Sequence, residues 1–123
     1  MSTRRILVVD DDRDMGETLV ALLKLMGHEA AYVANPLQAL EAALAFRPQI
    51  TFLDLTMPLL DGYALAQEFG GHPELEEMPL VALSGRGSPE DRARSRKAGF
   101  DAHVRKPLDE SLLESILAQF DRA

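Results

Sequence analysis

Five short, mostly continuous apolar runs, each followed by a helical pattern or a turn, leave this chain few ways to fold. Ile6-Leu7-Val8-Val9 is the clearest. It is brief, rich in β-branched residues and free of polar alternation, as expected of a strand covered on both faces. Residues 30–33 form a weaker run, and residues 50–53, 80–83 and 102–104 supply three more. Between the first two runs, Met15, Leu19, Leu22, Leu23 and Met26 make a helical stripe from Asp14 to Met26, ended by Gly27. Asn35-Pro36 predicts a cap and a first-turn proline for a second helix, with Leu37, Leu40 and Leu44 inward and Pro48 as its stop. A third helix is expected to start near Asp61-Gly62, to carry Leu65 and Phe69, and to end in the turn-rich Gly70-Gly71-His72-Pro73. Ser88-Pro89-Glu90-Asp91 opens a fourth with cap, proline and early acids, and Gly99 closes it. Leu112, Leu113, Ile116, Leu117 and Phe120 mark an amphipathic last helix.

Five β-α units in order predict an α/β fold, a parallel sheet with five helices on its two faces. Right-handed crossovers reduce the options, and the flavodoxin-like topology, strand order 2-1-3-4-5, is the natural choice. The 123 residues fit a single domain, 1–123, with 46% hydrophobic and 27% charged residues typical of a globular protein. With no cysteine, neither a disulfide framework nor a thiolate metal site is possible. Arg4-Arg5 leads straight into a short run, so no signal pattern is present, and no apolar stretch reaches bilayer length. A cytoplasmic location is the expectation. A net charge of −7 argues against direct binding to nucleic acid or an anionic membrane. The basic residues that crowd the last third, Arg86 through Lys106, read as a solvated face plus one functional lysine.

In sheets of this kind ligands lie beyond the carboxyl ends of the strands. There stand Asp10, Asp11 and Asp12 after the first run, Asp54 after the third, Ser84 after the fourth and Lys106 after the fifth. Carboxylates brought to one edge repel unless a cation or protons intervene. A hard cation such as Mg²⁺ suits oxygen donors. Asp11 and Asp54 fit as direct ligands, the backbone carbonyl of Thr56 as a third, and Asp10 through a water. Metal, hydroxyl and ammonium together suit a phosphoryl group, and a central carboxylate can be its nucleophile, which points to Asp54. Taken singly, each residue has a plainer reading. Asp12 or Asp14 caps the first helix, Asp61-Gly62 is a turn, Ser84 is a loop hydroxyl and Lys106 a surface lysine.

The ordered set Ile6-Leu7-Val8-Val9-Asp10-Asp11, Asp54-Leu55-Thr56-Met57-Pro58-Leu59-Leu60-Asp61-Gly62, Leu83-Ser84-Gly85 and Lys106-Pro107 resembles the receiver domain of a two-component response regulator. The resemblance covers essentially the whole chain. The wording around Ser88 to Arg92 and Gly99 to His103 is also similar to receivers attached to hybrid histidine kinases. The resemblance implies that Asp54 accepts a phosphoryl group from a phosphohistidine on a histidine kinase or phosphotransfer protein. It implies Mg²⁺ held by Asp10 and Asp11, Lys106 against the phosphoryl oxygens, and Ser84 at the family's switch position. Gly85 would leave room beside the phosphate, and the Lys106-Pro107 bond would be cis. An output partner is implied but not identified.

Against the commoner family pattern, His103 stands where many receivers carry Tyr or Phe, so output coupling is expected to differ. Thr56 and Arg86 occupy positions that edge the path of the hydrolytic water and are expected to modulate dephosphorylation. Thr56 also weighs against a phosphatase acting on outside substrates, which would carry a second acid there. The remaining alternative is a degenerate receiver serving as a phosphorylation-independent scaffold, although none of the acids nor the lysine is missing.

Overall fold

Residues 3–55, 62–84, 93, 96–106 and 108–120 are described by the structure, a computed structural model. Within them, β1 (Arg5–Val9), β2 (Glu29–Val33), β3 (Ile50–Asp54), β4 (Leu80–Ser84) and β5 (Ala102–Arg105) form one parallel sheet in the order β2-β1-β3-β4-β5. The fold is the flavodoxin-like one, and the expected strand order is borne out. Strands that are continuous apolar runs need cover on both faces, and the side-chain period of two divides them accordingly. Ile6, Val8, Ile50, Phe52, Val81, Leu83 and Val104 pack under helix α1 (Arg13–Leu25) and the last helix (Glu110–Gln119), against Leu19, Leu23, Leu113, Ile116 and Leu117. Leu7, Val9, Leu53, Leu80 and Ala82 face the other way, against Ala39 and Ala43 of α2 (Ala39–Phe46) and Leu65, Ala66 and Phe69 of α3 (Gly62–Gly70).

Helix ends follow local chemistry. Asp12 caps α1, its side chain accepting from the Met15 amide, and Gly27 at φ 96° lets the chain leave in the left-handed region. Asp109 caps the last helix in the same way through the Leu112 amide. Helix α2 stops at Arg47, a non-glycine residue at φ 55°, because the following Pro48 disfavours the right-handed helical region at that position. Residues 96–98 are helical and Gly99 at φ 112° closes them, while the start expected at Ser88 lies outside the described residues. So do the Asp61 turn and the Lys106-Pro107 bond.

Two expectations are corrected. Leu37 does not face inward but is 64% exposed, because Pro36–Gln38 form a 3₁₀ turn that throws it off the helical register of α2. The inner face is instead Ala39 and Ala43, with Leu40 and Leu44 packed at its margins. Leu112 is likewise exposed, sitting beside the buried stripe of Leu113, Ile116 and Leu117.

Candidate functional site

The strand period that sorts the core also builds the site. Asp10 continues the set Ile6 and Val8, Asp54 continues Ile50 and Phe52, and Lys106 continues Ala102 and Val104. All three therefore emerge on one side of the sheet at its carboxyl edge. Asp10 and Asp54 are each 1% exposed. The Lys106 ammonium bridges them, with Nζ 2.9 Å from Asp10 Oδ2 and 3.2 Å from Asp54 Oδ2. The reach of Lys106 is set by its own backbone, whose amide donates to the Ser84 carbonyl at 2.8 Å.

Asp11 is exposed beside this pair, and Asp10, Asp11 and Asp54 each offer a carboxylate oxygen within 4.8 Å of the others. Three carboxylates thus face one ammonium. The Asp10 carboxyl is raised from 3.8 to about 6 in balance, burial being the largest cause. The Asp12 amide and Lys106 pull it back, while Asp54 pushes it further up. Burial works against the charge of Lys106, but the bonds and charges of Asp10 and Asp54 outweigh it and hold the ammonium above its usual range. Such a cluster asks for a cation, and carboxylate oxygens are the donor type that Mg²⁺ takes.

The Asp10 backbone is fastened on several sides. Its amide donates to the Val33 carbonyl at 3.2 Å, its Oδ1 accepts from the Asp12 amide at 2.9 Å, and its carbonyl accepts from the Tyr32 hydroxyl at 2.6 Å. Burial first, and the Asp10 charge next, push the Tyr32 phenol up, which keeps it a donor. Sequence reading missed Tyr32. The available signal was Gly16, a glycine inside a helix where alanine is preferred. Below Asp10 and Lys106 a pocket of about 200 Å³ runs between α1 and Leu108, walled by Met15, Leu19, Leu22 and Leu83.

Of the residues expected in the site, the structure brings together Asp10, Asp11, Asp54 and Lys106. Buried Ser84 ends β4 directly after Leu83, the register partner of Asp54. His103, half-buried and in register with Ala82, lies on the face of β5 opposite Val104 and does not join the cluster. Thr56, Gly85 and Arg86 lie outside the described residues.

Residues 6–118 match the family model of the response regulator receiver domain. Among curated proteins, the transcriptional regulatory protein PrrA of Mycobacterium tuberculosis is 36% identical over 108 residues, 88% of this chain and 46% of PrrA. The response regulator MprA of the same organism is 34% identical over 115 residues, 94% of this chain and 48% of MprA. The chain therefore spans about half the length of these curated relatives. Among solved structures, the chemotaxis protein CheY4 of Vibrio cholerae aligns with a TM-score of 0.91 at 22% identity, over 97% of this chain and 99% of that one. That likeness is one of fold. The signal receiver domain of a signal transduction histidine kinase from Syntrophus aciditrophicus aligns with a TM-score of 0.84 at 30% identity, over 96% and 89% of the two chains.

Proposed function

Because this chain belongs to the receiver domains of two-component response regulators, we propose that Asp54 is its phosphoacceptor and residues 1–123 one receiver module. The observation that carries the reading is the ammonium of Lys106 between two buried carboxylates at an edge where a third converges. The donor would be a phosphohistidine on a histidine kinase or phosphotransfer protein. An Asp54 carboxylate oxygen attacks phosphorus, the P–O bond forms as the P–N bond breaks, and the departing imidazole takes up a proton. Lys106 holds the transferred oxygens in line as negative charge builds on them. Asp10, Asp11 and Asp54, with the Thr56 carbonyl, would hold Mg²⁺. Bound there, the ion supplies positive charge against the phosphoryl oxygens.

Ser84 serves as the hydroxyl that meets the new phosphate, next to Gly85, and the change at the site biases a protein-contact surface. Thr56 and Arg86 tune loss of the phosphate, and His103 alters the coupling to output. The module acts on its own aspartate, not on outside substrates, and works in the cytoplasm. Among the described residues no helix is long and apolar enough to cross a membrane. The charge of −7 favours a protein output partner over direct contact with nucleic acid. PrrA is named a transcriptional regulator, and this chain spans 46% of it.

The test is incubation with acetyl phosphate and Mg²⁺ followed by intact-mass measurement. One added phosphoryl group, absent in Asp54→Asn, is the expected result. No gain from acetyl phosphate or from a phosphorylated histidine kinase would replace this reading with the scaffold.

A further inference from the structure

Tyr32 stands on β2 in register with Val8, one residue before the strand ends, and its ring lies over Gly16 of α1. A Cβ on Gly16 would collide with the ring's Cε1 and come within 2.6 Å of Cδ1 and 2.8 Å of Cζ. Glycine is a poor choice for a helix interior, and here the ring accounts for it. The space admits the ring, whose hydroxyl donates to the Asp10 carbonyl at 2.6 Å. The Asp10 amide is already tied to Val33, and the Asp10 carboxylate to the Asp12 amide. The Tyr32 bond adds the peptide plane that joins Asp10 to Asp11.

We propose that Tyr32 is a positioning residue for the acid cluster: by gripping the Asp10 carbonyl over the gap left at Gly16, it aims Asp10 and Asp11 at a common cation. The inference rests on the reading above that this cluster holds Mg²⁺. Three mutually repelling carboxylates relax apart unless the backbone prevents it, and affinity for a cation depends on their being held together beforehand. A tether on the main chain at the root of two of them acts as outer partners of metal ligands do, orienting donors without touching the ion. Tyr32 and Asp10 are far apart in sequence, so the tether exists only when β2 is docked against β1.

The test measures the Mg²⁺ midpoint by amide chemical-shift titration, alongside melting temperature and phosphorylation by acetyl phosphate. Tyr32→Phe removes only the hydroxyl. It is expected to raise the Mg²⁺ midpoint by about tenfold, leaving the phosphorylation rate at saturating Mg²⁺ within about twofold of wild type. Gly16→Ala evicts the ring and is expected to shift the midpoint by the same factor, and the double variant is expected to add nothing further, because both changes break one bond. A Tyr32→Phe midpoint within about twofold of wild type, or two shifts that simply multiply in the double variant, would overturn the inference. If the wild type takes up phosphate but Tyr32→Phe titrates unchanged, this inference alone falls. If the wild type binds no Mg²⁺ and takes up no phosphate, the reading of the site falls with it.

Discussion

Replacing Asp10 by asparagine should make the metal-free protein more stable near neutral pH. Asp10 is 1% exposed, and its carboxyl titrates near 6 instead of 3.8, mainly because burial opposes the charge. Ionising it inside the fold at pH 7 therefore costs about 3 kcal/mol more than in the unfolded chain, at about 1.4 kcal/mol per pH unit. Asparagine keeps an oxygen for the Asp12 amide, and the help that Lys106 gives the charged form is already contained in the net rise of the Asp10 carboxyl. The expectation is therefore a gain of up to about 3 kcal/mol at pH 7.

The sign of the pH dependence is a sharper test than the size. A group whose folded pKa lies above its unfolded one binds more protons in the native state, so its contribution is fully present below about 4 and is lost as pH rises through about 6. Urea denaturation of wild type and Asp10→Asn in EDTA, from pH 4 to 8, isolates this one group as a difference. That difference should swing in favour of the variant between pH 4 and 6, then stay level. Saturating Mg²⁺ should reverse it, since binding stabilises only the chain that keeps all three acids. A difference that stays flat across pH 4 to 6, or an asparagine variant less stable at pH 7 in EDTA, would refute the account of a strained acid cluster.

Lys106→Gln should destabilise the metal-free fold by about 2 kcal/mol at pH 7 in the same assay. That is less than a broken buried ion pair usually costs, because Asp10 can take up a proton. Phosphorylation by acetyl phosphate should slow about a hundredfold in that variant, read by intact mass against time. Thr56→Ala and Arg86→Ala should change the decay rate of the phosphorylated form severalfold without lowering the extent of phosphorylation, and unchanged decay in both would remove them from the mechanism. Leu113→Ala, deleting a fully buried side chain between the last helix and the sheet, should cost about 2–5 kcal/mol by denaturation and leave the Mg²⁺ midpoint in place.

How much of this was legible in the sequence varies with the range of the interaction. The strands were legible because runs such as Ile6 to Val9 carry their own evidence, and the crossover rule orders them once helices intervene. Asp10, Asp54 and Lys106 were legible for a related reason: each lies in step with the buried residues of its strand, so the period of two aims all three the same way. Leu37 and Leu112 were misjudged because a stripe count assumes one unbroken helix of fixed pitch. The 3₁₀ turn at Pro36–Gln38 breaks that assumption for Leu37, and the burial of Leu113 takes the inward place beside Leu112. Leu75, buried among Phe69, Leu80 and their neighbours, comes from a turn-rich stretch with no periodicity to betray it. Tyr32 left only an indirect trace, the glycine at position 16 of another element, since its partners are a main-chain carbonyl and an absent side chain remote in the sequence.

The same geometry explains why an unfavourable site can sit on so ordinary a fold. The fully buried positions of β1, β3 and β4 are apolar except Thr51 until the last residues, Asp54 and Ser84, and the buried acids stand only at the carboxyl ends of the strands. The conflict among Asp10, Asp11 and Asp54 is thereby confined to one edge, where the backbone already leaves the ladder and can respond. Lys106 partly relieves it, but it arrives from β5, the shortest strand and an edge of the sheet. A group that draws the Lys106 ammonium from Asp10 toward Asp54 would strain β5 against β4 at the Ser84 carbonyl, which receives the Lys106 amide. A phosphoryl group on Asp54 is such a group. Under the proposed phosphorylation of Asp54, the charge there would bear on β5 through the two contacts Lys106 makes, its ammonium with Asp54 and its amide with the Ser84 carbonyl.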